Sequence, residues 1–268
     1  MPAVSRETVH MSRKPPILFL HGAFTGPDVW TRFMAPWFAA RGHRVAAPRL
    51  PGTIVTSRLR DYVRHAHAAA DALGRPPVVV GHSLGGLVAQ HLAAERPVAG
   101  VALVGSPGPV GLGPSFWQIS TQAPGVLASL LIAQAGGGPL LGVEAMRQAL
   151  FTEDTPDEWI ASVMLPMDRQ SMLALLDGMT WDLPAWYRAR RTPMLAVLGA
   201  QDAFVPVSDL WSIGLAYGAE MELMKGVAHG LPIDPHWKSL AWRISAWLDE
   251  RQIGAVEQTS AQTSAPNR

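Results

Sequence analysis

Short runs of β-branched and other apolar residues alternate, over most of the chain, with longer stretches in which apolar positions recur every three or four residues. Residues 17–21, 43–48, 77–82, 99–104 and 193–199 read as strands. Runs such as Val78-Val79-Val80 lack the in–out alternation of a sheet with one wet face, so they belong in a sheet buried on both sides. A shorter strand is expected at 220–224. Between them lie helical patterns. One spans 28–41, with Val29, Phe33, Trp37 and Phe38 on one face and Gly42 as its stop. Others span about 56–73, 84 to just before Pro97, and the stretch ending near Tyr217. The last, 235–250, carries Trp237, Leu240, Ala241, Ile244 and Trp247 on one side. Strands that alternate with helices predict an α/β fold, a mostly parallel sheet covered by helices on both faces.

The alternation fails after Pro109. From 110 to 191 no strand pattern stands out, and helix-like segments at 126–135, 143–151, 156–164 and 169–179 are separated by Gly136-Gly137-Gly138 and several prolines. This predicts a helical cap (residues 110–191) inserted into a core domain made of residues 1–109 and 192–251, with glycine joints that let the cap move. Residues 252–268, rich in Ser, Thr, Gln and Ala, are expected to form a disordered tail.

Composition narrows the function. A net charge of +1 with 16% charged residues gives no basic surface for nucleic acid. There is no cysteine, hence no disulfide framework and no thiolate nucleophile. The apolar run at 17–20 is too short for a signal or membrane segment, and no other stretch reads as a membrane span. The expectation is a soluble cytoplasmic protein with no membrane or nucleic-acid partner; its oligomeric state cannot be read. No cofactor motif is found, and no histidines share metal-ligand spacing with a third donor.

The candidate chemistry begins where the strand at 77–82 ends, in Gly81-His82-Ser83-Leu84-Gly85, followed at once by a helical pattern. Strand, sharp turn and helix in that order make a nucleophile elbow, which holds a serine hydroxyl proud of the sheet. A bare Gly-x-Ser-x-Gly is a common loop; the flanking strand and helix make this one specific. His82 is expected to pack or donate locally. Asp202 follows the strand at 193–199 and His229 the strand at 220–224. All three residues thus fall at carboxyl ends of strands, where sites in such sheets gather. Asp202 competes with a helix-capping role near Pro206, and His229 with His21 and His236 for the base role. Asp209 is expected to be solvated.

In the motifs His21-Gly22-Ala23, Gly81-His82-Ser83-Leu84-Gly85-Gly86, Leu198-Gly199-Ala200-Gln201-Asp202 and Ala228-His229 the chain resembles the α/β-hydrolase superfamily. Residues 21–30 and 40–45 are similar to its methylesterase and hydroxynitrile lyase branch and the bacterial relatives of that branch. Arg49, where many relatives carry aspartate before Leu-Pro-Gly, departs from the pattern. The resemblance implies a serine hydrolase in which Ser83 attacks a carboxylic ester, His229 is the base, Asp202 orients it, and the backbone N–H groups of Ala23 and Leu84 form an oxyanion hole. Cyanohydrin lyase chemistry is disfavoured, because Gly230 follows His229 and Gly22 follows His21 where the lyases carry lysine and threonine. Thioester, lactone or carbon–carbon bond hydrolysis, or a ligand-binding role on this scaffold, stay open as alternatives. The apolar cap predicts a small-molecule ester with an apolar group, in a pocket lined by Phe24, Phe116, Trp117, Trp159, Met164 and Phe204.

Overall fold

The computed structural model describes residues 14–137, 141–164 and 169–254. Most of the expected tail and Gly138 of the glycine joint lie outside them. Six strands form one parallel sheet: β1 (Ile17–Leu20), β2 (Val45–Ala46), β3 (Val78–His82), β4 (Gly100–Val104), β5 (Met194–Gly199) and β6 (Glu220–Met224). Their spatial order is β2-β1-β3-β4-β5-β6, so β3 and β4 are central. Val78 pairs with both Ile17 and Gly100, and His82 with Val104, which ends β3 and β4 level with each other. Every residue of β1, β3, β4 and β5 is buried, whereas the edge strands β2 and β6 are only partly covered.

Successive residues of a strand feed opposite cores. Leu18, Leu20 and Val79 pack with α3 (Leu59–Ala72), α4 (Leu84–Glu95) and α10 (Val207–Tyr217). Ile17, Phe19, Val78 and Val80 pack with α1 (Asp28–Thr31), α2 (Met34–Ala39) and α11 (Trp237–Glu250). The helix expected over 28–41 is therefore two. Proline at 36 has no N–H for the carbonyl of Arg32 and its ring clashes there, so the chain breaks at Phe33 (φ −132°, ψ −59°) and restarts.

Between β4 and β5 the chain is helical: α5 (Gly113–Gln122), α6 (Pro124–Ile132), α7 (Val143–Leu150), α8 (Asp157–Val163) and α9 (Met172–Thr180). The sequence pattern missed α5, whose composition (Gly, Pro, Ser, Thr, Gln) argues for a loop; Pro114 near its start is where a helix tolerates proline. The Asp177 carboxylate on α9, 3% exposed, accepts from Arg58 Nε at 2.8 Å and from the Leu59 N–H at 3.1 Å, fastening α9 to the start of α3. No helix of the described residues is long and apolar enough to cross a membrane.

Candidate active site

The turn after β3 is built by backbone contact. A Cβ on Gly81 would lie 2.4 Å from the Gly85 carbonyl oxygen, and one on Gly85 would lie 2.3 Å from that of Leu20. Only glycine lets these chains meet. Ser83 sits between them at φ +53°, a region L-residues avoid, and its N–H donates to the Val104 carbonyl at 3.0 Å. Strain of this kind persists only where its surroundings over-determine it. Leu84 opens α4, so its N–H points out of the helix start with no intrahelical acceptor.

Asp202 and His229 come from the loops after β5 and β6. His229 Nδ1 lies 2.8 Å from Asp202 Oδ2, with the two side chains 4% and 1% exposed. The other carboxylate oxygen accepts from the Phe204 and Val205 N–H groups at 2.8 and 2.9 Å. Both oxygens being engaged, the carboxylate fixes the ring with Nδ1 protonated and Nε2 turned away. Phe204 stacks on that ring, centroids 4.5 Å apart. Ser83 and His229 meet on the wall of one cavity, with no hydrogen bond closed between them. Such bonds commonly tighten only with substrate in place.

His82 does more than fill space. Its Nε2 donates to the His229 carbonyl at 2.9 Å, so it holds the loop that carries the imidazole. Burial, and after it the neighbouring His229, pushes its pKa down to about 3, so the ring is a neutral donor across the working pH range. His21 accepts the Leu50 N–H on Nε2 at 2.9 Å, which puts its proton on Nδ1, 2.9 Å from the Gly22 carbonyl. It supports the loop before Ala23. His236 is half exposed and pairs with Asp234. The aspartate seven positions beyond Asp202 is not solvated: Asp209 is 1% exposed, turned inward on α10, and its Oδ2 has no partner among the described residues.

The cavity holds about 240 Å³ and takes in Ala23, Ser83, Leu84 and His229. Among the described residues no Asp, Glu, Lys or Arg is in its walls, which are mainly Leu, Met, Ile and Phe. Phe24, Phe116 and Phe204 line it. Trp117, Trp159 and Met164 do not, and those three expectations are corrected. Trp117 is about 100° around α5 from Phe116 and points to solvent, 71% exposed. Trp159 stacks on Phe33 and donates its ring N–H to the Ile233 carbonyl. Met164 follows α8, whose buried residues Ile160 and Val163 pack on the α2–α11 side of the sheet. In their place stand Leu127, Leu130 and Leu131 of α6, at an i, i+3, i+4 spacing that could have flagged them.

The chain is 31% identical over 210 residues to a pimeloyl-[acyl-carrier protein] methyl ester esterase of Methylococcus capsulatus, covering 73% of this chain and 79% of that one. To the protein of the same name from Aromatoleum aromaticum it is 40% identical over 96 residues, spanning 35% of this chain and 38% of the relative. A solved carboxylesterase structure from Nitrososphaera gargenis superposes with a TM-score of 0.69 at 14% identity, over 90% of this chain and 94% of that one, a likeness of fold. A model of the alpha/beta hydrolase family matches residues 17–241, the span that runs from β1 through the elbow, the aspartate and the histidine into α11, and the chain belongs to that family.

Proposed function

We propose that the protein is a serine hydrolase that cleaves a carboxylic ester bearing an apolar group, through an acyl-enzyme. The observation that carries this reading is the buried His229–Asp202 pair at 2.8 Å, facing the same cavity as a serine strained to φ +53°. A hydroxyl is a weak nucleophile at neutral pH and needs a base within reach as it attacks. His229 Nε2 takes the Ser83 proton, and Asp202, already accepting from Nδ1, stabilises the imidazolium. Charge develops on the carbonyl oxygen, and the N–H groups of Ala23 and Leu84, two residues of the cavity wall, receive it. Collapse expels the alcohol, protonated by His229. Water attacks the acyl-enzyme by the same route in reverse.

The helical segment over 110–191 serves as the cap, because α5, α6, α7 and α9 supply most of the apolar wall facing Ser83. The named relatives act on a methyl ester of an acyl chain borne by a carrier protein. The described wall suits the hydrocarbon of an acyl chain, and none of its residues offers a cation to a terminal carboxylate. The test is a series of p-nitrophenyl esters on the purified protein: acetate through decanoate, and a monoester whose acyl group ends in a carboxylate. The neutral medium chains are expected to be preferred over the charged one by at least tenfold in kcat/KM. Preference for the charged acyl group, or no ester turnover at all, would remove the reading.

A further inference from the structure

Three of the loops at the site are reached by hydrogen bonds from the helical segment between β4 and β5. Gln118 of α5 donates to the Asp202 carbonyl at 3.0 Å. The Leu150 carbonyl, at the end of α7, accepts from the Gly230 N–H at 2.7 Å. The third bond goes to the loop of the expected oxyanion donor: Gln170 Oε1 accepts from the Phe24 N–H at 3.3 Å. The first two loops have further anchors, since Asp202 is held by the Phe204 and Val205 amides and His229 by His82. The Phe24 loop is the more exacting of the three. Phe24 holds φ +59°, which an L-residue keeps only when something outside fixes it, and it adjoins Ala23.

Gln170 is built for that work. It is 2% exposed. The Phe24 N–H can meet only an acceptor, so the amide oxygen must face it and the NH₂ must face away. That NH₂ donates to the Tyr62 hydroxyl, itself 1% exposed on α3 in the core. The Gln170 N–H in turn donates to Gln134 Oε1 at 3.0 Å. Gly52 completes the fit, for a Cβ there would come within 3.0 Å of Gln170 Oε1. A side chain from the helical segment is thus clamped by a core tyrosine and aimed at the peptide that follows Ala23.

We propose that Gln170 is a positioning residue for the oxyanion hole: Thr25 and His21 hold the Gly22 carbonyl on the amino side of Ala23, Gln170 holds the Ala23–Phe24 peptide on its carboxyl side, and the two together keep the Ala23 N–H in place, which couples the seating of the helical segment to catalysis. The inference rests on the ester-hydrolase reading above. Removing an oxyanion donor outright costs a hundredfold or more, and displacing one costs less.

The experiment compares wild type, Gln170→Met and Tyr62→Phe. Gln170→Met is near in volume but offers the N–H only a thioether sulfur, a weak acceptor; Tyr62→Phe leaves the acceptor and removes its clamp. Steady-state kinetics with p-nitrophenyl butyrate, the inhibition constant of phenylboronic acid (which forms a tetrahedral adduct on a nucleophilic serine) and Tm are measured on each. Gln170→Met is expected to lower kcat by about 10–100-fold with KM within about twofold, and to weaken the boronate by a similar factor. Tyr62→Phe is expected to show both effects at about 2–5-fold. A lower Tm with unchanged kcat and boronate affinity in both variants would reduce Gln170 to a packing residue and overturn the proposal. If instead wild type neither turns over the ester nor binds the boronate, the hydrolase reading itself fails, and the positioning role falls with it.

Discussion

Asp202 and Asp209 stand seven positions apart on the path from β5 into α10, both with buried carboxylates, and they differ in their partners. Asp202 spends one oxygen on His229 and the other on two amides. Asp209 takes a bond from the Gly108 N–H, but its Oδ2 has none, and burial, with Asp202 adding to it, pushes its pKa up to about 6 from 3.8. The folded chain therefore keeps a proton that the unfolded chain loses near pH 4. Stability falls as pH rises from about 4 to about 6 and stays lower above that window, by about 3 kcal/mol for a shift of this size. Asp209→Asn keeps the shape and the acceptor for Gly108 without the titration. Its denaturant-derived stability is expected to exceed that of wild type at pH 8 and to converge with it near pH 4. An offset equal at both pH values would show that ionisation of Asp209 is not the cause. Sequence alone placed this residue in solvent, because helical position after Asp202 says nothing about which face of α10 is turned inward. The same blindness to facing misassigned Trp117, Trp159 and Met164.

At the scale of elements, what pattern could show was what local chemistry alone decides. The strand at 78–82 is buried on both faces and reads so at once, and Ser83 follows from the glycines around it. The break between α1 and α2 was legible in Pro36, yet the apolar face running through Val29, Phe33 and Phe38 masked it. The α5 helix had no local signal, since it is held by packing between α6 and α9 and not by its own propensity. The elbow's tolerance can be tested directly. Gly85→Ala must push a Cβ against the Leu20 carbonyl oxygen at 2.3 Å, and the cost is expected at or above the upper end of the about 1–3 kcal/mol of ordinary overpacking. Gly113→Ala, at the start of α5 with no atom nearer than 3.9 Å, is the control, expected to be neutral or to stabilise by up to about 1 kcal/mol. Chemical denaturation of both proteins decides it; equal effects would mean that the elbow relaxes more easily than its contacts suggest.

Across the whole molecule, the sheet brings residues 83, 202 and 229 to one end, and the helices between β4 and β5 close over them a wall that, among the described residues, carries no charge. Hydrogen bonds run from that helical segment to the loops beneath it through Gln118, Leu150, Trp159 and Gln170. The proposed function depends on a single hydroxyl, that of Ser83, being far more reactive than the other serine hydroxyls of the chain. Incubation with a fluorophosphonate, followed by intact mass and peptide mapping, measures that most directly. The expected result is one adduct, on Ser83, absent from a folded Ser83→Ala variant that also fails to turn over esters. An unlabelled wild-type protein, or an adduct on another residue with ester turnover intact in Ser83→Ala, would contradict it.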